Sequence, residues 1–113
     1  MPSPRSIILS PDAAAARSWT NSLGAAGSIV EVVTDLSAAQ GESDLLIAEL
    51  PTPEVRPAFA ASLPECPTML VVPETTLSGI VACFAAPSVR SVVFKDYLSE
   101  RLLTYVSAKL LWG

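Results

Sequence analysis

Ser43-Asp44-Leu45-Leu46-Ile47-Ala48-Glu49-Leu50-Pro51 is the stretch on which the fold turns. An apolar run is closed by one acid and a proline. It is too short for a helical core and is bounded by breakers. It therefore reads as a strand, Asp44 to Ala48, buried on both faces. Glu49 comes where that strand should leave the sheet. In an open parallel sheet this carboxyl edge is where ligands sit.

Upstream, Ser6 to Leu9 is a short β-branched run and reads as the first strand. Ser10-Pro11-Asp12 ends it, and Asp12 is placed to cap a helix from Ala13 onward. Ala16, Trp19, Leu23 and Ala26 recur at helical spacing, and Gly27 stops the pattern. Ile29 to Val33 is the second strand. Asp35 to Gln40 leaves room for about one helical turn. Downstream, Pro51, Pro53 and Pro57 crowd a loop. Val55, Phe59 and Leu63 then predict a helix from about Arg56.

Thr68 to Val72 is the fourth strand, and Pro73-Glu74-Thr75-Thr76 is a loop with capping residues. Leu77, Ile80, Val81 and Phe84 follow the pattern of an amphipathic helix whose stripe is expected to face the core. Val89 to Phe94 is the fifth strand. Asp96 is expected to cap a last helix carrying Leu98, Leu102, Val106 and Leu110. Five strands alternating with helices predict an α/β fold, a parallel sheet covered on both faces.

The 113 residues suffice for one domain with a real core. The helical pattern is still running at Trp112-Gly113. The chain reads as a domain cut from a longer protein, and equally as a short protein ending there. No apolar run approaches the roughly 20 residues of a membrane span, and the start lacks a signal-peptide pattern. A formal charge of -4 argues against nucleic acid as a direct partner. Cys66 and Cys83 are too few for a disulfide framework and read as reduced thiols of a cytoplasmic protein. The sequence holds no histidine, the commonest general base and zinc ligand.

The stretch from Asp44 to Pro51 resembles the third strand of bacterial receiver domains, the phosphate-accepting, CheY-like modules of two-component signalling. Those read Asp-Leu-hydrophobic-hydrophobic-hydrophobic-Asp-Leu, followed soon by proline. Leu23-Gly24-Ala25-Ala26-Gly27 resembles the end of their first helix. Phe94-Lys95-Asp96-Tyr97 is similar to their Lys-Pro-Phe, and Leu98-Ser99-Glu100-Arg101-Leu102-Leu103 to the opening of their last helix. The resemblance covers nearly the whole chain. It implies a flavodoxin-like receiver fold with strand order 2-1-3-4-5. It also implies a site at the carboxyl edge containing Glu49, Lys95 and the Ser10-Pro11-Asp12 loop.

The site departs from that pattern. Glu49 stands where a receiver carries the aspartate that takes the phosphoryl group. Ser10 and Pro11 stand where two acids would hold magnesium, and neither offers a carboxylate. Val72 or Pro73 stands where a hydroxyl residue would follow the phosphoryl group. Val92 replaces the usual aromatic of the fifth strand. Phosphoryl transfer needs an in-line nucleophile and cations on the equatorial oxygens. Glu49 is one methylene too long to place its oxygen as aspartate would.

The chain is therefore expected to be a degenerate receiver, a pseudo-receiver: not an enzyme, without metal or cofactor, and independent of phosphorylation. Ser10, Pro11, Asp12, Glu49, Val72 and Lys95 form its vestigial pocket. Glu49 and Lys95 read either as a solvated ion pair worth at most about 1 kcal/mol, or as a mimic of the phosphorylated state. Partners, whether another protein or a second copy, are expected on the face of the fourth helix (Leu77 to Phe84), the fifth strand and the last helix. Arg90, Arg101 and Tyr105 are the candidate contacts there. A receiver-like sensor of a small nucleotide messenger and a flavodoxin-like flavin carrier or enzyme are the alternatives.

Overall fold

The computed structural model describes residues 3–39, 42–50, 62–73 and 76–112. Five strands stand in the order β2-β1-β3-β4-β5. They are β1 (Arg5–Leu9), β2 (Ile29–Val33), β3 (Leu45–Glu49), β4 (Thr68–Val72) and β5 (Val89–Phe94). Every neighbouring pair is parallel. This is the expected sheet and order.

β3 lies in the middle and all five of its residues are buried. Its lack of apolar-polar alternation follows, because both of its faces are covered. The strand begins one residue later than the sequence suggested. Asp44 stays outside, where its carboxylate accepts the Arg5 amide at 2.8 Å. Glu49 is the strand's last residue.

The two-residue period of the strands divides the core into two layers. Ile7, Leu9, Leu46, Ala48, Leu70 and Val72 face the 3-10 turn Leu36–Ala39 and helix α2 (Leu77–Cys83). Ile8, Leu45, Ile47, Met69, Val71 and Val93 face helices α1 (Ala13–Ala25) and α3 (Glu100–Trp112). Each fully buried large aliphatic side chain contributes roughly 1.5–3 kcal/mol.

α1 starts where expected. Asp12 Oδ1 accepts the amides of Ala14 at 3.0 Å and Ala15 at 3.2 Å. The helix buries Ala16, Trp19 and Leu23. Ala26 does not extend that stripe; it is the exposed C-cap. Gly27 follows with φ 97°, a conformation open to glycine at little cost. Its amide donates to Gly24 O at 3.1 Å, and the Ser28 amide to Leu23 O at 3.0 Å. These two bonds are a Schellman stop.

α3 is capped by Ser99, not by Asp96. The Leu102 amide donates to Ser99 Oγ at 3.1 Å. Asp96 sits instead in a separate 3-10 turn, Lys95–Tyr97. Leu98, Leu102, Val106 and Leu110 pack against the core as expected, flanking the more deeply buried Leu103 and Ser107.

α2 departs from expectation. Leu77, Val81 and Phe84, read as core residues, are 76%, 65% and 49% exposed. The helix instead buries Cys83 and half-buries Gly79 and Ile80. Leu77 to Phe84 is apolar on nearly every side, so periodicity does not say which side packs. The face carrying glycine and cysteine approaches the sheet most closely, and the bulkier face is left outside.

Between β4 and β5 the register steps from Thr68↔Val89 to Met69↔Ser91, leaving Arg90 as the additional residue of a bulge. The expected helix from Arg56, with Val55 and Phe59, and the loop residues Glu74 and Thr75 lie outside the described residues. Thr76 caps α2 through the Gly79 amide at 3.2 Å. Among the described residues no helix is long and apolar enough to cross a membrane.

Candidate functional site

All five strands point the same way, so their carboxyl ends share one edge. Leu9 pairs with Ala48, which sets Ser10, the next residue, level with Glu49. Lys95 follows directly on β5, two strands away from β3. The intervening β4 ends in Val71 and Val72, which pair with Glu49 and Phe94. A lysine is long enough to cross that strand end. The structure thus brings Ser10, Asp12, Glu49 and Lys95 together from three separate segments.

Lys95 Nζ is the hub. It lies 2.8 Å from Asp12 Oδ2 and 3.2 Å from each carboxylate oxygen of Glu49. The Glu49 side chain is 7% exposed and that of Lys95 34% exposed. A fully solvated Glu49–Lys95 pair is therefore not what the fold contains. The carboxylate is buried, and its charge is met by the ammonium and by Ser10 Oγ at 3.2 Å.

Ser10 Oγ also lies 3.3 Å from the Asp12 carbonyl and accepts the Asp12 amide at 3.1 Å. A hydroxyl has one proton to give, and the charged Glu49 oxygen is the stronger acceptor. Ser10 was read from the sequence only as a missing acid. The structure makes it a bridge between Glu49 and the backbone of the capping residue. The serine two places before Asp12 was the available signal, because Ser side chains often bond the backbone two residues on.

Asp12 serves two partners with its two oxygens. Oδ1 caps α1, and Oδ2 receives Lys95. The hydrogen bond from Lys95 is the main cause that holds the Asp12 carboxyl below its ordinary value, followed by the Ala15 amide. The same bond is the main cause that raises the Lys95 ammonium; partial desolvation works against it and Glu49 adds to it.

Pro11 is exposed and has no amide proton to offer a ligand. Val72 is buried in the core layer and brings no hydroxyl. Among the described residues no three His, Cys, Asp or Glu side chains gather as metal ligands. The arrangement holds a charge network closed on itself. An anion arriving at the start of α1 would meet the Asp12 carboxylate already seated there.

Of the candidate contacts, Arg90 and Arg101 belong to different elements. Arg90 lies at the amino end of β5, whereas Arg101 lies in the first turn of α3, beyond the strand's carboxyl end. Arg101 and Tyr105 do share a helix face, and Lys109 Nζ sits 5.8 Å over the Tyr105 ring. Tyr105 is 63% and Tyr97 71% exposed.

The sequence reading missed the outward stripe of α2. It also missed a hollow of about 560 Å³ at the opposite, amino edge, lined by Arg5, Ser43, Asp44 and Cys66 among others. There Ser43 Oγ approaches Cys66 Sγ to 3.4 Å.

No family model matches the sequence. No curated protein matches it either. Solved structures match over nearly the whole chain. A CheY-like response regulator from Mesorhizobium loti is 17% identical with a TM-score of 0.78, over 96% of this chain and 99% of that one. A putative response regulator from Chloroflexus aurantiacus is 18% identical with a TM-score of 0.80, over 99% and 100%. An orphan response regulator of H. pylori is 16% identical with a TM-score of 0.75, over 96% and 95%. At such identities the likeness speaks for architecture, and the architecture of this chain is the CheY-like fold of response-regulator receiver domains.

Proposed function

We propose that this domain is a cytoplasmic receiver-like module of bacterial two-component signalling that works without phosphorylation, and through its surface. It binds a protein partner, a second copy of the chain included, and catalyses no reaction. The observation that carries the reading is the outward apolar stripe of α2. Leu77 and Val81 stand exposed on a seven-residue helix that follows β4 and precedes β5, and Phe84 at its C-cap extends the stripe. Tyr97 and the Arg101–Tyr105 face of α3 belong to segments that follow β5. Exposed apolar residues gathered along one helix face, as Leu77, Val81 and Phe84 are, mark an interaction site.

The pocket supports the reading from the other side. Glu49 is buried and engaged by Lys95 and Ser10. It lacks the exposed in-line geometry that attack on a phosphoryl donor requires. The nucleotide-sensor alternative is less favoured, because Arg90 near the start of β5 and Arg101 in the first turn of α3 belong to different elements. A flavin carrier would want a phosphate cradle at the first loop, where Pro11 and the Asp12 carboxylate stand instead.

Val81→Glu tests the reading. Sedimentation of the wild-type chain at rising concentration should show self-association, and the variant should stay monomeric. The folding stability of the two should agree within about 0.5 kcal/mol, as for other surface changes. A wild-type chain that remains monomeric and binds no signalling partner through this face would refute it. So would a stable mass gain of one phosphoryl group after incubation with acetyl phosphate and magnesium.

A further inference from the structure

The central observation is where the Lys95 ammonium sits. Two carboxylates from different segments converge on a single point, and Nζ occupies it, within 2.8 Å of Asp12 and 3.2 Å of Glu49. Neither carboxylate reaches the cluster by chance. Asp12 is fixed by capping α1, and Glu49 by its place at the end of β3 under a bond from Ser10. Their spacing is therefore set by the sheet and the cap, and the lysine fits into it.

A free divalent cation would want that same point. Magnesium is held through one or two carboxylates at about 2.0–2.1 Å and keeps several waters besides. It would have to expel the ammonium first. The ammonium is covalently tethered, so it competes as an intramolecular ligand that cannot diffuse away. The carboxylates would have to exchange a partner already in hydrogen-bond contact for an ion that sheds water reluctantly.

We infer that Lys95 is a built-in cation. Its ammonium permanently fills the position between Asp12 and Glu49, closes the pocket to divalent ions, and ties the segment after β5 to the start of α1 and the end of β3. This deepens the reading of the pocket as chemically inert and rests on it. The device replaces a dissociable ion with one written into the chain. The 3-10 turn Lys95–Tyr97, which carries the exposed Tyr97, is thereby held in one position whatever the metal content of the solution.

The test is a titration of the whole 113-residue chain with manganese alone, in the absence of any phosphate donor. Paramagnetic broadening of the Asp12 and Glu49 backbone amides is read by NMR. Wild type should show no saturable broadening at low-millimolar manganese. Lys95→Met should gain saturable broadening at both amides, with affinity raised by at least about tenfold. The gain should disappear when Asp12→Asn is added. Lys95→Gln, which keeps hydrogen-bonding capacity without charge, should gain similarly and serves if the methionine variant folds poorly.

Saturable binding by wild type at these amides overturns the inference whatever the variants do. Folded Lys95 variants that gain nothing overturn it as well. Because no phosphate donor is present, the outcome is separate from the acetyl phosphate test: a wild-type chain closed to manganese yet phosphorylated would sink the inert-pocket reading alone.

Discussion

Lys95→Met should destabilise the domain by about 2 kcal/mol, and nearly all of that loss should come from Glu49. Removing one member of a buried ion pair costs roughly 3–5 kcal/mol, because the other charge is left buried and unmet. Here the Glu49 side chain is 7% exposed, but Lys95 keeps 34% of its surface in water and Ser10 remains as a donor. Both features lower the penalty, which sets the figure near 2 rather than 4 kcal/mol. For 113 residues this corresponds to a fall in Tm of about 8 °C. The assay is urea unfolding at neutral pH in metal-free buffer, with the m-value unchanged. Adding Glu49→Leu to Lys95→Met should restore the midpoint to within about 1 kcal/mol of wild type, since an apolar pair needs no counter-charge. A loss below about 0.5 kcal/mol for Lys95→Met would refute the reasoning, because exposed pairs behave that way. So would a double variant no better than the single one.

Asp12→Asn keeps a capping oxygen but removes the charge that Lys95 meets. The Asp12 carboxyl is held below its ordinary value, so its contribution is present above about pH 4, its unfolded value, and is lost as pH falls through the lower folded one. The stability gap between wild type and variant should therefore close in acid. Lys95, whose value is raised, contributes below about pH 10.4 and loses that contribution as pH climbs past its higher folded value; unfolding midpoints across pH check both limbs. The two glycines around the α1 stop should respond in opposite directions. A Cβ at either meets nothing within 4 Å. Gly27→Ala, at φ 97°, should cost about 1 kcal/mol through backbone strain, while Gly24→Ala, inside the helix, should add about 0.5–1 kcal/mol to stability.

The sheet was legible because its information is local. Five short apolar runs, four of them rich in β-branched residues and each followed by a turn or capping residue, leave little choice of element. Their alternation with helices leaves little choice of sheet. The meeting of Asp12, Glu49 and Lys95 was legible once the strands were parallel, since all three stand at strand ends. Less legible was the choice between competing partners of one residue type. Asp96 and Ser99 are both able caps, and the 3-10 turn decided for Ser99. α2 is apolar around most of its circumference, and only contact with the sheet chose which side to bury. Glu49 carried no mark of burial in the sequence. Its surroundings come from residues 39 and 46 positions away in the chain.

β2 closes one side of the sheet, and among the described residues no strand lies beyond it. Its sequence, Ile29-Val30-Glu31-Val32-Val33, is β-branched at every place but one, and Ile29 and Val32 are exposed. An open row of backbone donors and acceptors flanked by such side chains is a template on which another extended chain can zip. Glu31 is the single charge along that row, and Arg5 of β1 holds it at 3.6 Å. A carboxylate at mid-strand makes a like strand laid alongside bring its own negative charge into the same dry seam. A lone charge at mid-strand on an edge is the pattern of a gatekeeper against fibrous growth. Glu31→Val, a change at an exposed ion pair worth at most about 1 kcal/mol to folding, is therefore expected to make concentrated chain less soluble.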